Sequence, residues 1–321
     1  MRSQHPKSIQ KLFPALGTLN AVTVYDTDTD TATAALTTVR ERVLSMDQTM
    51  SLFRKDSEIS EINRMAGIRP VAVHPDTLAV IASGIRLGKQ TKGAFSLTAG
   101  PLNLLWKNAM KSGVLPDNDA VRNAGKRVRH GRVIIDTADR TVFLSRPGMM
   151  LDLGGIAKGY AVDVSASILR SFGIRHALIS FGGSIRVLGE SRTVGVQNPF
   201  QETGVSFGEL DLPDSQAVVT SGSYEQQRLL EGHRCHHIID PRTGWPTESG
   251  LVSVTLTGRN ATVLDALATG AFVLGAKKSV PILRKTGIEG IFVFEDGTVR
   301  TTEGMNGRFR MSETDSKNLP A

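Results

Sequence analysis

The chain has 321 residues, 40% of them apolar and 21% charged, the proportions of a folded globular protein rather than a disordered or fibrous one. Cys235 is the lone cysteine, which excludes an intrachain disulfide, and no run approaches the roughly 20 apolar residues of a membrane span. The net charge is +7, and where it gathers it could form a nucleic-acid or anionic-surface patch or simply a solvated face.

In chain order, Thr18–Tyr25 alternates as a strand, and Thr31–Ser45 carries Ala34, Leu36, Val39 and Val43 near helical spacing. Residues 56–62 read as a short, polar-capped helix, and Pro75–Thr91 as a long one. Residues 126–132, Lys-Arg-Val-Arg-His-Gly-Arg, concentrate the positive charge. With no aromatic side chains interleaved for base stacking, they read as the solvated edge of a strand, and no nucleic-acid partner is expected. Val133–Asp136 and Thr141–Leu144 form a hairpin, and Met149–Leu153 a further short strand. A helix follows from about Lys158 to Ser171, ended by Gly173. Strands are expected at His176–Phe181, Ser184–Leu188, Thr193–Gln197, Glu209–Leu212, Ala217–Ser221, His236–Ile239 and Leu251–Thr257. Helices Ala261–Leu274 and Ser279–Lys285 and a hairpin over residues 290–301, turning at Asp296-Gly297, close the chain. Hairpins interrupted by helices predict an α+β fold of mostly antiparallel sheets with flanking helices.

Three stretches carry chemistry. The first is residues 151–160, Leu-Asp-Leu-Gly-Gly-Ile-Ala-Lys-Gly-Tyr, in which paired glycines open a helix bearing Lys158 on its first turn. Glycines permit close backbone approach, a helix start presents unpaired N–H groups to anions, and Asp152 and Lys158 bracket the turn. The order Gly-x-x-Lys-Gly is not a Walker A loop.

The second is the late helix, apolar nearly all round, with Asp265 inside it and Thr269 one turn on. A buried carboxylate needs a partner, and no lysine or arginine lies in this helix. A carboxylate plus a hydroxyl suits a hard cation such as Mg2+. Capping of a neighbouring strand or pairing with a distant arginine is the alternative.

The third is residues 235–244, Cys-His-His-Ile-Ile-Asp-Pro-Arg-Thr-Gly. It offers a histidine near neutral pKa as a base for a weak hydroxyl nucleophile. Consecutive residues cannot all converge on one zinc ion, and no second cysteine completes a structural site. Residues 93–102, a small-residue loop before an apolar segment, and 220–224, a polar turn, are weaker signals.

Taken in this order, from about residue 16 to 275, these pieces resemble the ApbE-like family, the FAD:protein FMN transferases. The resemblance implies a T-fold-like architecture and an enzyme that uses FAD and Mg2+. It joins FMN by a phosphoester to a threonine or serine in a short motif of an acceptor flavoprotein, releasing AMP. Such acceptors are often subunits of membrane redox complexes. By resemblance, the metal falls to the Gly155 carbonyl with Asp265 and Thr269. Leu16, Phe53, Ala94, Phe95, Ser96, Asp152, Lys158 and Ile239 line or contact FAD. His237 is the base, and it joins Asp265 as a catalytic residue. One departure is Ser96, where the family commonly has aspartate. An FAD pyrophosphatase and a non-catalytic FAD-binding protein are the alternatives.

Residues 13–311 are expected to form the folded domain, between unpatterned ends at 1–12 and 312–321. Taken as it stands, the sequence lacks a signal peptide or a lipid-attachment cysteine, so a cytoplasmic location is expected. A trimmed export segment would imply the periplasm.

Overall fold

The computed structural model describes residues 8–225 and 227–312. A hairpin of β1 (Ser8–Ala15) and β2 (Thr18–Tyr25) is followed by helices α1 (Thr29–Met50) and α2 (Glu58–Arg64). A short strand β3 (Val71–Ala72) leads to α3 (Pro75–Gln90), α4 (Gly100–Ser112), α5 (Asn118–Gly125) and a hairpin, β4 (Val133–Asp136) with β5 (Thr141–Leu144). Helix α6 (Ala157–Ser171) precedes strands β6 (His176–Phe181), β7 (Ser184–Leu188), β8 (Arg192–Gln197), β9 (Ser206–Leu212) and β10 (Ala217–Gly222). An arm of β11 (Gln227–Leu230) and β12 (His233–His236) and strand β13 (Leu251–Gly258) come before α7 (Ala261–Leu274) and α8 (Ala276–Thr286). Strands β14 (Glu289–Phe294), β15 (Val299–Thr301) and β16 (Phe309–Met311) complete the described chain.

Eight strands make one sheet in the order β1-β2-β6-β7-β10-β13-β14-β15, with every neighbouring pair antiparallel. The expected α+β class holds. Strand alternation sends successive side chains to opposite faces, and both faces are covered. Ala217, Val219 and Phe292 join the core beneath α1, α6 and α7, whereas Val218, Ile291 and Val293 pack against the three-stranded sheet β16-β9-β8. A third, smaller cluster holds Leu102 and Trp106 of α4, Val121 of α5, Leu230, Cys235 and Ile239.

Helix α7 is buried at eleven of its fourteen positions, including Asp265 and Phe272, as its all-round apolarity requires. It packs against α6, β10 and β13, and the Asn260 side chain caps it by accepting from the Val263 N–H at 2.9 Å.

Several expectations are corrected. Residues 149–153 join no ladder. Their backbone groups are taken by other partners: Asn63 bonds both the N–H and the carbonyl of Leu151, and the Asp152 N–H donates to Leu97 O. The strand expected at 236–239 is displaced to His233–His236, and Ile239 makes only an isolated bridge to Pro246. Helix α4 begins inside the expected loop 93–102, with Gly100-Pro101 as its opening residues and left-handed Gly113 at its end. Strand β1 occupies part of the segment expected to be unpatterned, because residues 8–12 gain partners from β2. Residues 1–7 and 313–321 of the two expected tails lie outside the described residues. No helix among the described residues is long and apolar enough to cross a membrane.

Candidate active site

The turn at Gly154-Gly155 and the first turn of α6 lie against α7. A Cβ placed on Gly155 would sit 3.3 Å from Thr269 Oγ1 and 3.2 Å from the Phe95 ring, so the Gly155 backbone faces the Thr269 hydroxyl. One turn earlier on α7, Asp265 Oδ2 accepts from the Gly159 N–H at 2.9 Å. The carboxylate thus caps the start of helix α6 and not a neighbouring strand, the alternative the sequence offered. Thr269 Oγ1 bonds back to the Asp265 carbonyl at 3.3 Å and lies 3.4 Å from Ser221 Oγ on β10.

Asp265 is 3% exposed. Burial pushes its carboxyl pKa up, and the Lys158 charge and the Gly159 N–H partly oppose that shift. Lys158 Nζ donates to the Gly154 carbonyl at 3.2 Å, which holds the lysine over the turn. Asp265 and Thr269 offer a carboxylate and a hydroxyl one turn apart, hard oxygen groups of the kind that could hold Mg2+. Among the described residues, no group of three or more His, Cys, Asp or Glu gathers that could hold a metal ion. Cys235 is buried in the third cluster, away from any such role.

Asp152 accepts from the Gly154 N–H at 2.9 Å and from Asn103 Nδ2 at 2.8 Å. Asn103 belongs to α4. Lys107, one turn along the same helix, places Nζ 3.3 Å from the centre of the exposed Phe53 ring. Leu102 and Trp106, also on α4, share the third cluster with Ile239, and Trp106 Nε1 donates to Gly244 O at 2.7 Å. Helix α4 thus supports Asp152, Phe53 and Ile239 at once. Sequence reasoning missed it, although Pro101 and Gly113 were its available signals.

Ala94, Phe95 and Ser96 are buried in the loop before α4. Ser96 Oγ accepts from the Thr98 N–H at 3.3 Å and bonds Thr98 Oγ1 at 3.0 Å, so its role in the structure is to cap the short turn at Leu97–Ala99. Leu16 lies at the tip of the β1–β2 hairpin with φ of 54°, a region that bulky residues seldom adopt, and its N–H donates to Asp47 Oδ1 of α1 at 2.8 Å. Phe53 follows the end of the same helix, so Leu16 and Phe53 share the C-terminal end of α1.

The two histidines separate. His236 ends β12 at 5% exposure, with Nδ1 accepting from the Ile238 N–H at 3.2 Å, Nε2 bonding Thr247 O at 3.1 Å and its ring edge-on to Phe272. These bonds fix a neutral ring protonated on Nε2, and burial lowers its pKa. His237, at the bend beyond the strand, is only half-buried.

The sequence model of the ApbE family matches residues 16–292. An FAD:protein FMN transferase of Klebsiella pneumoniae (strain 342) is 36% identical over 83% of this chain and 84% of that protein. The crystal structure of the ApbE protein from Thermotoga maritima superimposes with a TM-score of 0.85, at 28% identity over 95% of this chain and 100% of that one. Flavin transferase ApbE from Vibrio cholerae gives a TM-score of 0.80, at 27% identity over 95% of this chain and 100% of that one.

Proposed function

This chain belongs to the ApbE family, and on that premise we propose that it transfers the FMN moiety of FAD to a threonine or serine hydroxyl of an acceptor flavoprotein, forming a phosphoester and releasing AMP. It is an enzyme, an FAD:protein FMN transferase, and FAD is its substrate. The observation that carries the finer reading is the buried Asp265 carboxylate at the Gly159 N–H, one helical turn before Thr269, whose hydroxyl faces the Gly155 backbone. We assign the metal to Gly155 O, Asp265 and Thr269. Mg2+ bound there would draw charge from the diphosphate oxygens as the bridge breaks.

The chain's own residues account for the rest of the proposed reaction. The acceptor hydroxyl oxygen bonds the FMN phosphorus, the bond from that phosphorus to the bridging oxygen breaks, and AMP leaves with the electron pair. His237 takes the hydroxyl proton. His236 is a poor base because both ring nitrogens are already engaged. Lys158 and the start of α6 supply positive potential beside the diphosphate. Asp152, fixed by Asn103, and the side chains of Leu16, Phe53, Ala94, Phe95, Ser96 and Ile239 form the proposed FAD-contacting set.

The test incubates the protein with FAD, Mg2+ and a candidate acceptor. Flavin fluorescence that stays with the denatured acceptor, with one AMP released per flavin, is the expected result. Free FMN and AMP without labelled acceptor would replace transfer by FAD hydrolysis.

A further inference from the structure

Outside the site, positive charge gathers in two adjoining hollows of roughly 350 and 440 Å3 that share Lys126 and Arg129 in their walls. The larger is lined by Lys126, Arg127, Arg129, Arg132 and Arg146, with only Pro147 and Met149 between them. Among the described residues, no carboxylate lines either hollow. All five cations are exposed, and among the described residues none of them forms an ion pair. In the smaller hollow, by contrast, Arg122 pairs with Asp119 and Arg242 with Asp240. Five like charges around one concavity repel one another, and a polyanion seated there would relieve that repulsion.

The groove adjoins both segments that carry the site. Its wall at residues 146–149 runs on directly to Asp152 and the Gly154-Gly155 turn. The smaller hollow is walled by residues 241–245, which follow His237 and Ile239. We propose that this basic groove docks an acidic segment of the acceptor protein, flanking the hydroxyl that receives FMN. The inference rests on the transfer reading given above. A nucleic acid fits less well. The larger hollow has no aromatic side chain, and Trp245 at the far end is packed against Trp106 with ring centres 5.2 Å apart.

The test uses the full chain and the triple variant Arg127→Glu, Arg132→Glu, Arg146→Glu, whose changes are all at exposed positions. The probe is a fluorescein-labelled peptide with a central threonine flanked by glutamates, and its controls are the lysine-flanked counterpart, single-stranded DNA and anionic vesicles. Fluorescence anisotropy should show the acidic peptide binding, with a Kd at least about tenfold weaker for the variant and at 0.5 M salt. FAD affinity, read by quenching of flavin fluorescence, should not change. No binding of the acidic peptide, equal Kd for both proteins, equal binding of the lysine peptide, or tighter groove-dependent binding of DNA or vesicles would each overturn the proposal. Loss of FAD binding by the unaltered protein would instead strike the transfer reading itself.

Discussion

The Gly159 N–H and the Asp265 carboxylate meet at 2.9 Å, joining the first turn of α6 to the middle of α7 across 106 residues of sequence. The approach requires glycine. A Cβ on residue 159 would overlap the Ala261 carbonyl oxygen and lie 2.8 Å from Asp265 Cβ. Backbone atoms of a packed helix cannot step aside as the end of a flexible side chain can. Gly159→Ala should therefore push the helices apart, lowering stability by about 1–3 kcal/mol and moving Asp265 away from the first turn of α6. Urea unfolding and the transfer rate measure the two effects, and an unchanged midpoint would show that the contact can relax.

Asp265→Asn tests the metal assignment with little change of volume. Removing the buried charge should raise the thermal midpoint of the metal-free protein by roughly 2–4 °C, because a buried carboxylate with one backbone donor is costly to desolvate. Mg2+ should raise the midpoint of the unaltered protein and leave that of the variant in place. Calorimetric Mg2+ binding by the variant at undiminished affinity would remove Asp265 from the ligand set.

Much of this site was legible in the sequence because its signals are local. Gly-Gly before a lysine-bearing helix and a carboxylate one turn from a threonine are spacings along one element. The regular periods of β6, β7, β13 and α7 were read closely for the same reason, since burial on a sheet or helix face repeats along the chain. What escaped depends on distant partners. Strand β1 is polar enough to read as a tail until β2 pairs with it, and residues 149–153 look like a strand until Asn63 and Leu97 take their backbone groups. Helix α4 was hidden by its small, glycine-rich opening, and with it the role of Asn103 and Lys107.

His237→Ala should keep FAD affinity while lowering transfer by about 10²–10⁴-fold, the usual contribution of a positioned base. The expected signature is a fall in kcat with little change in KM for FAD. A variant that transfers at the original rate would move the base elsewhere.

His236 gives a prediction in pH. Its pKa lies below the ordinary 6.5 because burial disfavours the charged ring. Above about pH 6.5 both folded and unfolded states hold it neutral, and it adds no slope. Below that value the unfolded chain binds a proton that the folded chain resists, so stability falls as pH falls, by up to about 1.4 kcal/mol per pH unit. The difference in urea midpoint between the protein and His236→Gln should narrow from pH 7 to pH 5. A difference that stays constant over that range would mean the folded ring titrates normally.

Asp163 on α6 holds the other end of the helix pair. Its carboxylate accepts from the Ala261 N–H at 3.0 Å, the Thr262 N–H at 2.9 Å and the Thr262 hydroxyl at 2.7 Å, and it pairs with Arg186 of β7. It thereby occupies the N-terminus of α7, one turn before Asp265, where a negative charge is favourable. The Arg186 side chain is only 9% exposed, so deleting its partner strands a buried cation. Asp163→Ala should cost about 3–5 kcal/mol, whereas the double variant with Arg186→Met should recover part of that loss, because no unpaired charge then remains. If the double variant were no more stable than Asp163→Ala alone, the penalty would come from the lost cap on α7 rather than from the stranded arginine.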